Sequence, residues 1–343
     1  LKQDFLQLMK DATASTRAGD LSGATAAIQA ALRASSTIQP DDPSSKPGAA
    51  VGADVAPDGT GSSQEQQAFR LRSFAGDSGN MDFRLFSPQR VTKTRAPLVV
   101  MLHGCTQDAL DFSLGTQMNR LGQALEFHVL YPQQSRSANA QKCWNWFDPD
   151  HQKRGGGEPE LISRLTRNVI LSEGVDPRRV YVAGLSAGGA MAAIMGRAYP
   201  DIFAAIGVHS GLAPECAHDI MTAMRAMKAG GTGRKAQRAI PTVVFQGMND
   251  HTVSSKNADQ VIYACAGDVE LANKDGADKN GSRVFTAPGS PVVIAEEWLI
   301  AGLGHSWSGG SPQGSFTSES GPDASAEMVR FFSKFELTPA SRY

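Results

Sequence analysis

The sequence predicts an α/β domain, with a mostly parallel central sheet and helices on both faces. Continuous apolar runs of strand length recur at 97–102, 128–131, 180–183, 204–209 and 242–245. Helix-length segments alternate with them at 112–125, 158–171 and 187–198. Strands that read as unbroken apolar runs are buried on both faces, and their alternation with helices is the pattern of parallel β–α units. The third observation is a single junction. From Arg179 to Met191 a buried strand meets a glycine-flanked turn and then a helix opening at Ala187.

Taken in order, residues 1–39 read as a small N-terminal helical extension. Phe5, Leu6 and Met9 share one helix face, Ile28, Ala31 and Leu32 another, and Asp20 or Ser22 can start the second helix after Gly19. A hairpin of this size lacks a core of its own. It is expected to pack on the main domain or to be loosely held, with a docking arm as the functional reading. Residues 40–66 are dominated by Pro, Gly, Ser and Asp and are expected to form a flexible linker. The main domain is expected over 67–343. It opens with alternating apolar and polar residues at 68–72 and 82–86, the pattern of half-buried antiparallel strands, with the turn at 76–80. A further strand is expected at 292–299. A closing helix at 323–335 turns Met328, Phe331, Phe332 and Phe335 inward.

Composition narrows the function classes. The chain has 343 residues, 41% hydrophobic and 20% charged, enough for one large core. Its 33 basic and 34 acidic residues are intermixed and leave a formal charge of −1, so no nucleic-acid or membrane-surface footprint is expected. No apolar run reaches transmembrane length, and the first ten residues lack the apolar centre of a signal peptide. The four cysteines, Cys105, Cys143, Cys216 and Cys265, form no C-x-x-C pair. Zinc ligation is disfavoured, no metal or cofactor is expected, and the alternatives are two disulfides in any of three pairings or free thiols.

The chemistry centres on Gly184-Leu185-Ser186-Ala187-Gly188, which matches G-x-S-x-G at the strand-to-helix turn. A turn this tight strains the backbone at the serine and needs small residues two positions to either side. It lifts the hydroxyl off the sheet and aims the first helix amides at the atom under attack. Ser186 is therefore the candidate nucleophile. A serine hydroxyl needs a base, and the base needs an orienting acid. The candidate acid is Asp250, just past the strand at 242–245; otherwise it caps the helix expected near Ser254. The candidate base is His305, in the glycine-rich loop 302–310. His209, at the end of a buried strand, reads as a satisfied core or supporting group. His251, beside the acid, reads as loop packing, and His128, His151 and His218 as structural or solvated.

An oxyanion hole needs two backbone amides aimed at the developing charge. One is expected from Ala187. The other is expected from the loop Leu102-His103-Gly104-Cys105-Thr106-Gln107, with Cys105 the donor, Thr106 the near alternative and His103 bracing the loop. Trp144, Trp146 and Trp307 lie in or beside these loops and, with Thr106, are the candidate substrate-binding residues; core filling is the competing reading for each tryptophan.

The segments Leu102-His-Gly-Cys-Thr-Gln107, Cys143-Trp-Asn-Trp-Phe147, Gly184 to Met191, Gln246-Gly-Met-Asn-Asp250 and Gly304-His-Ser-Trp-Ser-Gly-Gly310 together resemble the poly(3-hydroxybutyrate) depolymerase family of esterases; feruloyl and acetylxylan esterases are similar. The resemblance runs from about residue 80 to 336. It implies an α/β-hydrolase fold, carboxylic-ester hydrolysis through an acyl-enzyme, and Ser186, Asp250 and His305 as nucleophile, acid and base. It also implies an extracellular enzyme acting on hydroxyalkanoate polyesters, their oligomers or small esters. No polymer-binding domain follows within the chain, which favours soluble oligomers and small esters. The rival substrates are feruloyl or acetyl esters of plant polymers. The distant rival is a binding protein on an inactive hydrolase scaffold.

Overall fold

The computed structural model describes residues 69–76, 79–92, 95–272 and 282–338. The helical arm expected over 1–39 and the linker over 40–66 lie outside them. Leu71–Tyr343 form one compact unit. Among the described residues its main sheet has ten strands in the order β1-β2-β4-β3-β5-β6-β7-β10-β9-β8, and Trp307–Ser308 pairs with Thr317–Ser318 in a second, small sheet. The strands are β1 (Arg72–Gly76), β2 (Gly79–Phe86), β3 (Leu98–Leu102), β4 (His128–Gln133), β5 (Val180–Leu185), β6 (Ala205–His209), β7 (Thr242–Gly247), β8 (Glu270–Leu271), β9 (Ser282–Thr286) and β10 (Val293–Ile300).

The six strands from β4 to β10 in the sheet order run parallel, and β1, β2, β9 and β8 add antiparallel edges. This is the α/β-hydrolase arrangement, with the crossing order β4-β3-β5 at its centre. Strands β3, β5, β6 and β7 are buried along their whole length. That explains their unbroken apolar sequences, because both faces are covered by helices.

The helices are α1 (Ala109–Thr116), α2 (Met118–Leu125), α3 (Gly157–Ser172), α4 (Ala187–Ala198), α5 (Ile220–Ala229), α6 (Lys256–Ala266) and α7 (Ala324–Phe332). Two neighbours on β6 show how they divide. A Cβ on Gly207 would strike Met328 of α7, while Gly196 of α4 lies against Ile206. Successive strand residues face opposite ways, so α4 and α7 cover opposite faces of the sheet.

Three local differences from the sequence reading have clear causes. The helix expected at 112–125 is two helices, because Gln117 adopts the left-handed conformation (φ 53°) and its amide closes on Ser113 O. The first strand begins at Arg72, four residues later than expected; its register pairs Arg72 with Phe83 and Gly76 with Gly79. Helix α5 was not anticipated. Its start is fixed by Asp219, whose carboxylate accepts the Thr222 amide while the Thr222 hydroxyl accepts the Asp219 amide.

Candidate active site

Ser186 sits at the carboxyl end of β5, between the strand and α4. Its backbone takes φ 57° and ψ −119°, a region that costs free energy for any residue with a side chain. Hydrogen bonds on both sides hold it there. The Ser186 amide donates to His209 O at 2.9 Å, and the Ala190 amide donates to Ser186 O at 2.9 Å. The flanking glycines are required by contact. A Cβ on Gly184 would come within 2.4 Å of Gly188 backbone, and one on Gly188 within 2.0 Å of Leu102 O.

Asp250 and His305 come from the loops after β7 and β10, neighbouring parallel strands. The two loops interlock, since a Cβ on Gly247 would meet Leu303 O at 2.3 Å. His305 Nδ1 donates to Asp250 Oδ2 at 2.7 Å. The other carboxylate oxygen accepts the amides of Thr252 and Val253, each at 2.8 Å. One oxygen of Asp250 thus closes the turn at 250–253 and the other faces His305; Asp250 does not cap the helix that follows, whose N-cap is Ser255. Burial pushes this carboxyl upward, but the hydrogen bond and charge of His305, with the two amides, outweigh it and hold the group below the usual carboxylate range. Gln246 Nε2 adds a fourth contact, 3.2 Å from Oδ2. Among the described residues no hydrogen bond joins Ser186 Oγ to His305, a gap common in catalytic sites without substrate.

The loop after β3 lies against the serine: a Cβ on Gly104 would be 3.6 Å from Ser186 Cβ. Three consecutive amides in this loop have different fates. Gly104 N donates to Gln107 Oε1 at 2.9 Å and Thr106 N to Gln141 O at 2.6 Å. Among the described residues Cys105 N has no acceptor, and neither has Ala187 N, which as the first helical amide has no partner inside α4. A disulfide joins Cys105 to Cys143, leaving Cys216 and Cys265 as free thiols.

Two buried imidazoles brace the surroundings in the same way. His103 Nε2 accepts the Gln134 amide at 3.1 Å and its Nδ1 donates to Gly104 O at 2.8 Å. His209 Nε2 accepts the Ser308 amide at 3.1 Å, with Nδ1 3.2 Å from Ser210 Oγ. Each ring must be neutral to accept at Nε2. Burial ensures it by drawing His103 down to about 4 and His209 to about 3. His209 thus ties the serine turn, through its carbonyl, to the segment after His305, through its ring. His128 meets Ser87 Oγ at 3.0 Å, and His151 lies 3.3 Å from Glu158.

The tryptophans correct the expectation that they line a substrate cleft. Trp144 and Trp307 are 0% exposed and Trp146 is 6% exposed. Trp144 donates from Nε1 to His103 O at 3.0 Å, and Trp307 stacks on His209 and donates to Ser325 Oγ. They back the site's loops. Thr106 is exposed, with its hydroxyl turned to Cys105 O at 2.6 Å. Sequence reasoning missed Gln107, Gln246 and Glu158. Gln107 and Gln246 lie in quoted segments and Glu158 in the helix after one of them, but only tertiary contacts reveal what they hold. Glu158 accepts from the Asn145 amide at 2.8 Å and from the side chains of Gln134 and Asn145, anchoring the Cys143–Phe147 segment. No group of three or more His, Cys, Asp or Glu among the described residues is placed to hold a metal.

Comparison with known proteins fits this geometry. Residues 81–283 match the family model described as esterase PHB depolymerase; Cys105, Ser186 and Asp250 fall inside that span and His305 beyond it. The chain is 30% identical over 261 residues to poly(3-hydroxyalkanoate) depolymerase C of Paucimonas lemoignei, covering 69% of this chain and 61% of that protein. It is 27% identical over 279 residues to poly(3-hydroxybutyrate) depolymerase of Ralstonia pickettii, covering 74% of this chain and 57% of that one. Feruloyl esterase B of Thermothelomyces thermophilus is 27% identical over 216 residues, 56% of this chain and 72% of that protein. The matches thus span about three-fifths of the length of the two depolymerases. The fold is that of an acetyl xylan esterase from Aspergillus awamori, with a TM-score of 0.57 at 19% identity over 77% of this chain and 99% of that one.

Proposed function

Since the chain belongs to the esterase PHB depolymerase family, we propose that it is a serine carboxylic-ester hydrolase acting through an acyl-enzyme on short-chain hydroxyalkanoate esters. The observation that carries the reading is the 2.7 Å contact between His305 Nδ1 and a buried, ionised Asp250. That contact fixes the imidazole tautomer with Nε2 free to take a proton. Ser186 Oγ attacks the ester carbonyl carbon and passes its proton to His305 Nε2. The carbonyl oxygen becomes an oxyanion and accepts from Cys105 N and Ala187 N. Collapse breaks the ester bond, and the departing alkoxide takes the proton from His305. Water, deprotonated by His305, then cleaves the acyl-serine by the same route. Each oxyanion amide is worth on the order of 3 kcal/mol of barrier.

The disulfide supports residence in an oxidising, extracytoplasmic compartment. No described helix is long and apolar enough to cross a membrane. Similarity to a feruloyl esterase supports a second substrate reading, aryl esters. The test has two parts. A serine-reactive fluorophosphonate should label the chain and should not label Ser186→Ala; labelling of both variants, or of neither, overturns the nucleophile. Hydrolysis rates on a 3-hydroxybutyrate dimer and on methyl ferulate then separate the two substrate classes, and preference for methyl ferulate overturns the hydroxyalkanoate reading.

A further inference from the structure

Cys105 N, which has no acceptor among the described residues, lies between two occupied amides, and one of these is held by a side chain. Gln107 is 2% exposed and uses both ends of its amide. Its Oε1 accepts Gly104 N at 2.9 Å. Its Nε2 donates to Asp111 Oδ2 at 2.8 Å and to Ser315 O at 2.9 Å. Asp111 in turn accepts the Ser315 amide at 2.8 Å and the Ser315 hydroxyl at 2.6 Å. Ser315 belongs to the segment that continues from His305 and crosses α1: the Ser311 amide donates to Gly115 O at 2.8 Å, and a Cβ on Gly115 would strike Thr317. The amide of Gln107 therefore stands between the loop beside Ser186 and the segment downstream of His305, with a hydrogen bond to each.

We propose that Gln107 is a positioning residue for the oxyanion hole. It holds Gly104 so that Cys105 N faces the developing charge, and it locks that orientation to the histidine-bearing segment through Asp111 and Ser315. The proposal rests on the esterase reading above. Without Gln107, Gly104 N loses its acceptor, and the Gly104–Cys105 stretch can shift as far as the Cys105–Cys143 disulfide and the bonds of Thr106 N and Gly104 O allow. The open amide then moves away from the oxyanion, and the loss falls on the transition state, since a substrate carbonyl carries little charge to miss.

The experiment compares the unaltered chain with Gln107→Met and Asp111→Asn on p-nitrophenyl butyrate. It measures kcat and KM separately, the inhibition constant of n-butylboronic acid, and the thermal midpoint. The boronate adduct on a serine places an oxygen at the oxyanion position, so it reports that hole in a way that global stability does not. Gln107→Met is expected to lower kcat by about 10- to 100-fold with KM changed by less than about threefold, and to raise the boronate constant by a similar factor. Asp111→Asn, at a half-buried position, presents a donor to Gln107 Nε2 and is expected to move both quantities in the same direction by a smaller factor. It decides the matter if Gln107→Met does not fold. An unchanged kcat in a folded variant overturns the proposal, as does a fall in kcat with unaltered boronate affinity. Failure of the fluorophosphonate to label the unaltered chain is a different result; it removes the esterase reading itself.

Discussion

Asp250 divides its two oxygens between backbone and imidazole: Oδ1 takes the Thr252 and Val253 amides and Oδ2 takes His305 Nδ1 at 2.7 Å. In Asp250→Asn the backbone contacts keep the side-chain oxygen in place, and the amide nitrogen faces His305. The imidazole must then adopt the other tautomer, which leaves a proton on the nitrogen that should accept one. The kcat/KM on p-nitrophenyl butyrate should fall by about 10³–10⁴-fold with the fold preserved by circular dichroism. A fall below about tenfold would show that the carboxylate does not set the tautomer.

The serine turn makes a steric prediction. Gly188→Ala places a methyl 2.0 Å from Leu102 O, and Gly184→Ala places one 2.4 Å from Gly188 backbone. Both obstacles are main chain, so neither can swing aside. Each variant should lose more than about 4 kcal/mol in urea unfolding or fail to fold. Gly189→Ala meets its nearest atoms at 3.0 Å and should cost about 1–3 kcal/mol. Equal stabilities for the three variants would contradict the packing.

Stability should depend on pH through groups far from their usual range. His103 and His209 are lowered by burial to about 4 and about 3, so the unfolded chain binds a proton at each as pH falls below about 6.5 while the native chain does not. Glu297 acts oppositely: burial raises it to about 7, against the pull of Arg283, so the native chain holds a proton there that the unfolded chain releases above about 4.3. From these three groups the net is one extra proton bound by the unfolded state between about pH 4.5 and 6, a contribution of about 1.4 kcal/mol of stability lost per pH unit on acidification. Replacing Glu297 by Gln should roughly double that slope in urea titrations. A slope that does not steepen would place Glu297 as an ionised partner of Arg283.

The buried tryptophans should act on stability before specificity. Trp144→Phe keeps the ring volume in part but leaves His103 O without its 3.0 Å donor. A loss of about 1–3 kcal/mol is expected from the unsatisfied carbonyl and the smaller ring. The ratio of rates on butyrate and octanoate p-nitrophenyl esters should change by less than about twofold. A large change in that ratio would mean that Trp144 meets the acyl chain.

The fold was legible because β3, β5, β6 and β7 are covered on both faces, and that coverage writes continuous apolar runs into the chain. The serine turn was legible because its glycines are dictated by local contact. Asp250 and His305 were legible as residues in loops that follow strands, but that those strands are parallel neighbours is seen only in the fold. What escaped the sequence depends on distant partners. Trp307 looked like a cleft wall from its place two residues after His305, yet Phe112 and His209 enclose it. The Cys105–Cys143 pairing links segments separated by 38 positions, and no spacing rule selects it from the alternatives. The break between α1 and α2 falls at Gln117, a residue type with no turn signature.

The order of the sheet has a consequence for how the chain acquires activity as it folds. Ser186 follows β5, near the middle of the sheet, but His305 follows β10, the last of the parallel strands in the chain, which pairs along β7. Long-range parallel pairing is slow because loop closure precedes any gain from contact. Strands β3, β5 and β6 can pair with one another without β10, but His305 is then not held beside Ser186. Under the proposed mechanism, hydrolysis requires this pairing, and a chain in which β10 has not joined β7 is expected to be inactive toward esters.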